Sequence, residues 1–172
     1  YTGGVSGFYT WRQGAEMHVM ADLLARHAQR GRVDWIGLRP ARRAEVQAVP
    51  RVQVGLSGLD GDRARAGKRA VTLIQAEHLP VIAGLLGRVA VTPDALRRNL
   101  VISGINLGAL KGRDIAVGGA VLRLTVICAP CSRMEETFGF GGYYAVREHG
   151  GWCAEVVTPG LVTRGDVVRV VD

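Results

Sequence analysis

Apolar residues recur along this chain in short alternating or continuous runs broken by glycine, proline and charge, which is the pattern of many short strands. Val33 to Leu38, Glu45 to Val49, Val52 to Leu56, Ala70 to Ile74 and Leu100 to Ile102 read this way, as do Ala120 to Ile127, Tyr143 to Arg147, Trp152 to Val157 and Val167 to Val171. Helical spacing is confined to three stretches. Met17, Met20, Leu24 and Ala28 form an apolar stripe over Glu16 to Arg30, with Gly31 placed as a C-cap. Ala76 to Leu86 is predicted helical, with Glu77 near the positive end and Pro80 in the first turn. Thr92 as N-cap, Pro93 at the first helical position and Asp94 behind it mark a third start, which runs into Arg97-Arg98-Asn99. Glycines at hairpin-like intervals from Gly104 to Gly165 predict an antiparallel barrel or sandwich rather than βαβ units. Closure into a barrel would protect the Val-rich edges.

Length and charge narrow the picture. A chain of 172 residues holds one domain of ordinary size, read here as an N-terminal extension with a short helix over 1–31 and a β domain over 32–172. No apolar run approaches the roughly 20 residues that span a bilayer, and residues 1–16 lack the apolar core of a secretory signal. A cytoplasmic protein without a membrane partner is expected. Lys and Arg number 22 against 15 Asp and Glu, a formal net charge of +7 carried mostly by arginine. Arginine suits forked recognition of phosphate or carboxylate, so a small anionic ligand is expected. A nucleic-acid partner is not: aromatics are 6% of the chain, the bases are scattered, and none of the common binding motifs is present.

Candidate chemistry concentrates where the run Ala120 to Ile127 ends in Cys128-Ala129-Pro130-Cys131-Ser132-Arg133-Met134. Three cysteines do not make a disulfide framework. A structural zinc site would need four ligands, and a thioredoxin-like dithiol would sit in an α/β pattern. Small buried thiols are a common alternative, and Cys153 alternates as an ordinary strand position would. Cys131 lies in a turn-forming context beside Arg133, as an accessible thiolate that binds a soft metal or carries sulfur would. Arg97, Arg98 and Asn99 admit both a phosphate grip and a simple helix-end cation pair. Glu77 and His78, as neighbours on a helix, do not face each other as a dyad would.

Together, Gly58-Leu59-Asp60-Gly61-Asp62, Val71-Thr72-Leu73-Ile74, Arg97-Arg98-Asn99-Leu100-Val101, Cys128-x-Pro130-Cys131-x-Arg133-Met134, Gly150-Gly151 and Gly165-Asp166-Val167-Val168 resemble the MOSC domain family over roughly residues 33 to 172. The resemblance implies a mainly β fold, a MOSC-type β-barrel with a few short α-helices. It places the family's cysteine at Cys131, as a ligand of molybdenum or an acceptor of sulfur, with Arg133 stabilising the thiolate. It assigns the pterin phosphate of the molybdenum cofactor, molybdopterin, to Arg97, Arg98 and Asn99, with Thr72 in the adjoining motif. A molybdenum-dependent oxidoreductase or a sulfurtransferase is then expected. The alternatives are a persulfide carrier served by a cysteine desulfurase or a molybdenum-enzyme partner, and a non-catalytic interaction barrel. Pyridoxal phosphate is expected on the desulfurase partner, not on this chain. Cys128 is extra to the family's Pro-Cys pattern and would resolve a persulfide on Cys131 or simply pack.

Overall fold

The computed structural model describes residue 20 and residues 22–171. In chain order the strands are β1 (Gly31–Leu38), β2 (Gln47–Ala48), β3 (Arg51–Gly55), β4 (Gly58–Leu59), β5 (Val71–Gln75), β6 (Leu100–Ser103), β7 (Asp114–Val117), β8 (Ala120–Ile127), β9 (Trp152–Thr158), β10 (Gly160–Thr163) and β11 (Val167–Val170). The helices are α1 (His78–Leu85), α2 (Pro93–Leu96), α3 (Ser132–Phe138) and α4 (Gly142–Val146), with a 3-10 turn over Leu107–Leu110. Seven strands close on themselves in the order β1-β6-β5-β9-β8-β7-β11, the ring being completed by pairing of β11 with β1. β2 extends one edge, and β10, β3 and β4 form a separate three-stranded sheet. No helix among the described residues is long and apolar enough to cross a membrane.

The period of two along each strand sorts side chains between two apolar clusters. Leu73, Leu100, Ile102, Leu122 and Leu124 point into the barrel. Ile74 and Val101, one residue out of phase, point outward and meet Ile82, Leu96, Met134, Phe138 and Val146 beneath the helices. In β1 the register shifts between Val33 and Trp35. That bulge lets Val33 and Ile36, three apart, both be buried in the barrel.

The structure departs from the pattern-based expectation in several places. β5 and β6 are parallel, joined through α1 and α2, so one βαβ crossover sits inside an otherwise antiparallel barrel. All five residues of β5 are buried, Thr72 and Gln75 included, as in a strand covered on both faces. The first helix runs from His78 to Leu85, with Pro80 in the turn whose N–H groups need no helical partner. Tyr143 to Arg147, expected as a strand, is largely helix α4. Glu135 of α3 accepts from the backbone N–H groups of Gly141 and Tyr143, both at 2.8 Å, and so caps α4 from outside. That contact outweighs the β preference of its tyrosines and valine. β7 and β10, four residues each, were not expected, nor was α3. Of the helix expected over Glu16 to Arg30, residues 22–25 are helical, the chain is non-helical from 26, and residues 16–19 and 21 lie outside the described residues.

Candidate functional site

At one end of the barrel the turn after α2, the start of α3 and the end of β8 surround a cavity of about 730 Å³. β8 stops because Pro130 has no N–H to continue a ladder. Cys128 still donates its N–H to Gly151 O at 2.8 Å. Three residues on, Cys131 is extended (φ −130°, ψ 175°) and becomes the N-cap residue of α3, which leaves its thiol exposed. Gly151 has φ 91°, and a Cβ there would lie 2.0 Å from Leu73 O, so only glycine lets β9 begin against β5. α2 ends because Arg97 adopts the left-handed conformation (φ 55°, ψ 43°). That reversal turns Arg98 inward and leaves Arg97 at the outer wall.

Among the described residues the wall is formed by Arg39, Arg63, Arg65, Arg69, Arg97, Arg98 and Arg133 together with Cys128, Cys131, Cys153 and Thr72, and by no carboxylate. Four of the arginines are tied down. Arg39 forks onto Asp62, with Nε to Oδ1 at 3.0 Å and Nη2 to Oδ2 at 2.7 Å. Burial alone would push the Asp62 carboxyl up, but the Arg39 hydrogen bonds and charge prevail and hold it below the usual carboxylate range. Arg98, 7% exposed, donates Nε to Gly150 O at 2.6 Å and Nη1 to Leu96 O at 2.5 Å. Arg97 donates to Ala44 O at 2.6 Å and Ala41 O at 3.3 Å, and Arg133 to Arg42 O at 3.0 Å, so both brace the segment between β1 and β2. Arg63, Arg65 and Arg69, on the segment between β4 and β5, have no side-chain hydrogen bond or ion pair among the described residues. Partial burial, followed by the positive charges of Arg133, Arg39 and Arg63, lowers the proton affinity of Arg97. The wall therefore repels itself where an anion would relieve it.

Asn99 takes a different place from the one its motif implies. It is 0% exposed and is not among the lining residues. Its Oδ1 accepts from Thr72 N (3.0 Å), Thr72 Oγ1 (2.9 Å) and Arg39 Nη2 (2.8 Å), while its Nδ2 donates to Gly37 O at 3.0 Å. Asn99 thus ties β5, β6 and β1 together behind the wall and holds Arg39 and Thr72 in it. Glu77 and His78 lie elsewhere: Glu77 accepts from Gly104 N, and the His78 ring meets His149 edge-on at 5.5 Å.

The three thiols differ. Cys153, on β9 and 2% exposed, sits on the same sheet face as half-buried Cys128 of the neighbouring β8 end. A hydrogen bond from Cys153, helped by the charges of Arg98, Arg39 and Arg69, outweighs burial and lowers the Cys128 thiol to about 6. The Cys153 thiol, as the donor facing that sulfur, is pushed far up. No three His, Cys, Asp or Glu side chains among the described residues converge tightly enough to share a metal ion.

The structure thus brings Cys131, Arg133, Arg97, Arg98 and Thr72 to one cavity. It adds Arg39, Arg63, Arg65 and Arg69, and it makes Cys128 and Cys153 participants. The crowding of Arg63, Arg65 and Arg69 just after Gly58 to Asp62 was the available sequence signal. The Cys128–Cys153 contact joins residues 25 apart in sequence and had none.

The family model described as the MOSC domain matches residues 60–169. No curated protein matches the chain. Among solved structures, the YUAD protein from Bacillus subtilis is 17% identical with a TM-score of 0.73, covering 83% of this chain and 96% of its own. YiiM from Escherichia coli is 21% identical with a TM-score of 0.68, covering 84% and 70%. YiiM from Geobacillus stearothermophilus is 18% identical with a TM-score of 0.69, covering 83% and 75%. At these identities the likeness is one of fold.

Proposed function

Because the chain belongs to the MOSC domain family, we propose that its arginine- and cysteine-walled cavity binds the molybdenum cofactor, the pterin phosphate seated on guanidinium groups and the metal on a thiolate. The observation that carries this reading is a cavity lined, among the described residues, by seven arginines, three cysteines and no carboxylate. The donor set fits the group: guanidinium forks match phosphate oxygens, and thiolates favour thiophilic metals. The volume also lies within the range of about 300–1,000 Å³ usual for small-molecule sites. Exposed Cys131 would hold the metal. Arg97 and Arg133, already braced on the segment between β1 and β2, would hold the phosphate together with Arg63, Arg65 and Arg69, which have no partner among the described residues. When bound, the group would supply two-electron redox chemistry. Arg98 and Asn99 fix the wall from behind. Molybdenum analysis and pterin fluorescence on protein from a cofactor-competent host are expected to show both in equal amounts. Absence of both would refute the reading.

A second reading, a persulfide carrier loaded by a pyridoxal-phosphate cysteine desulfurase, draws on Cys128 and Cys153, which line the same cavity, and on the lowered Cys128 thiol. A thiolate with a neighbouring donor can accept a sulfur atom and hold the resulting anion. Incubation with such a desulfurase and cysteine is expected to add one sulfur atom to the chain; no adduct on any cysteine would refute it.

A further inference from the structure

We infer that Cys128 is the nucleophile of a sulfur-transfer activity toward small anionic sulfane-sulfur donors of the thiosulfate class, with Arg65 and Arg69 seating the donor's sulfonate. This rests on the sulfur-carrier reading and extends it from a protein donor to a small anion. Three observations support it. The Cys128 sulfur lines the cavity and lies within reach of the charges of Arg98, Arg39 and Arg69, so an anion entering the cavity is drawn toward it. Among the described residues, Arg65 and Arg69 line the same cavity with no protein partner, and no lining carboxylate repels a dianion. Cys153 is buried and lines the same cavity as Cys128, where its thiol favours the anionic form of the Cys128 sulfur. A lowered thiol pKa supplies the nucleophile near neutral pH.

The step balances without an external oxidant. The Cys128 thiolate attacks the outer sulfur of thiosulfate, a new S–S bond forms to Cys128, the bond between the two thiosulfate sulfurs breaks, and sulfite leaves with the bonding pair. The product is the Cys128 persulfide anion. A thiophilic acceptor then takes the terminal sulfur and restores the thiolate; with cyanide as the probe, thiocyanate is released.

The test uses the full chain with thiosulfate and cyanide, following thiocyanate and sulfite, and mass spectrometry of the chain treated with thiosulfate alone. Residues 124–133, bounded by Arg123 and Arg133, carry both Cys128 and Cys131, so fragment ions of that tryptic peptide distinguish them. The expected result is one added sulfur atom on Cys128, and thiocyanate production at least about 100-fold below wild type in Cys128→Ser. Arg65→Ser and Arg69→Ser, on an exposed segment, are each expected to raise KM for thiosulfate about tenfold with kcat little changed, whether or not the cysteine variant folds. Thiocyanate production no higher than in Cys128→Ser, or sulfur found on Cys131 or Cys153 instead, would overturn the assignment. A parallel incubation with a cysteine desulfurase and cysteine separates the two claims. Sulfur gained from the desulfurase and not from thiosulfate overturns this inference while the carrier reading stands. Sulfur gained from neither overturns both.

Discussion

Replacing Asn99 by alanine separates a supporting role from a ligand-binding one. Asn99 is fully buried, and its amide makes hydrogen bonds to Thr72 N, Thr72 Oγ1, Arg39 Nη2 and Gly37 O. A buried hydrogen bond contributes about 1 kcal/mol net, and an abandoned partner costs its own desolvation in addition. Arg39 keeps its fork on Asp62, and Thr72 Oγ1 still accepts from Asn99 N, so two of the partners are not orphaned. The balance is a loss of about 4 kcal/mol, a large share of the ~5–15 kcal/mol that holds a domain together. At a urea slope of about 2 kcal/mol per M this moves the unfolding midpoint down by about 2 M. Urea titration followed by tryptophan fluorescence measures it, with phosphate affinity by calorimetry as the second readout. A variant within about 0.5 kcal/mol of the parent that had lost its anion affinity would refute this reasoning and place Asn99 on the ligand.

Three further outcomes are expected. Alkylation of Cys128 by iodoacetamide, followed by mass spectrometry, should reach half its maximal rate at a pH of about 6, and Cys153→Ala should move that point upward by removing the hydrogen bond that lowers it. Gly151→Ala places a methyl group 2.0 Å from Leu73 O at φ 91° and should cost on the order of 3 kcal/mol or more, read as a fall in Tm. Asp62 and Glu135 both have depressed carboxyl pKa values, Asp62 because Arg39 overcomes its burial and Glu135 through backbone N–H groups led by that of Tyr143. Their stabilising contribution is therefore complete above the unfolded carboxyl pKa of about 4 and is lost as pH falls through the lower folded values. Glu135→Gln should flatten part of that acid limb in a pH series of urea midpoints.

The barrel was legible because it depends on local alternation: the run Ala120 to Ile127 coincides with β8, and Trp152 to Val157 lies within β9. What escaped was set by distant contacts. A carboxylate of Glu135, six and eight residues upstream, makes a helix of Gly142–Val146, whose Tyr and Val residues favour a strand. The parallel pairing of β5 with β6 is invisible in either strand alone, although the run Val71 to Ile74, apolar but for Thr72, was consistent with burial on both faces. At the site, Cys131 and Arg97 could be singled out from their neighbours in sequence. The different tasks of Arg98 and Asn99 could not, because the left-handed turn at Arg97 decides which of them faces the cavity.

That turn also explains how one cavity tolerates so many like charges. Arg39 is neutralised by Asp62, Arg98 is held by the carbonyls of Gly150 and Leu96, and Arg97 and Arg133 donate to carbonyls of the segment between β1 and β2. Carbonyl partners fix a guanidinium's position without removing its charge, unlike a carboxylate partner. Three anchored charges therefore remain in the cavity wall together with Arg63, Arg65 and Arg69, which have no partner among the described residues. Arg39 acts on both groups: its charge adds to the burial that disfavours the charged form of Arg97, and to the Cys153 thiol that favours the thiolate of Cys128. An anion site and an activated thiol in this cavity would thus draw on neighbouring charges of one wall. A ligand that brings negative charge would relieve the repulsion among the arginines and weaken the field that sustains the thiolate. An occupied cavity should therefore hold its arginines more firmly and its cysteine less reactively than an empty one.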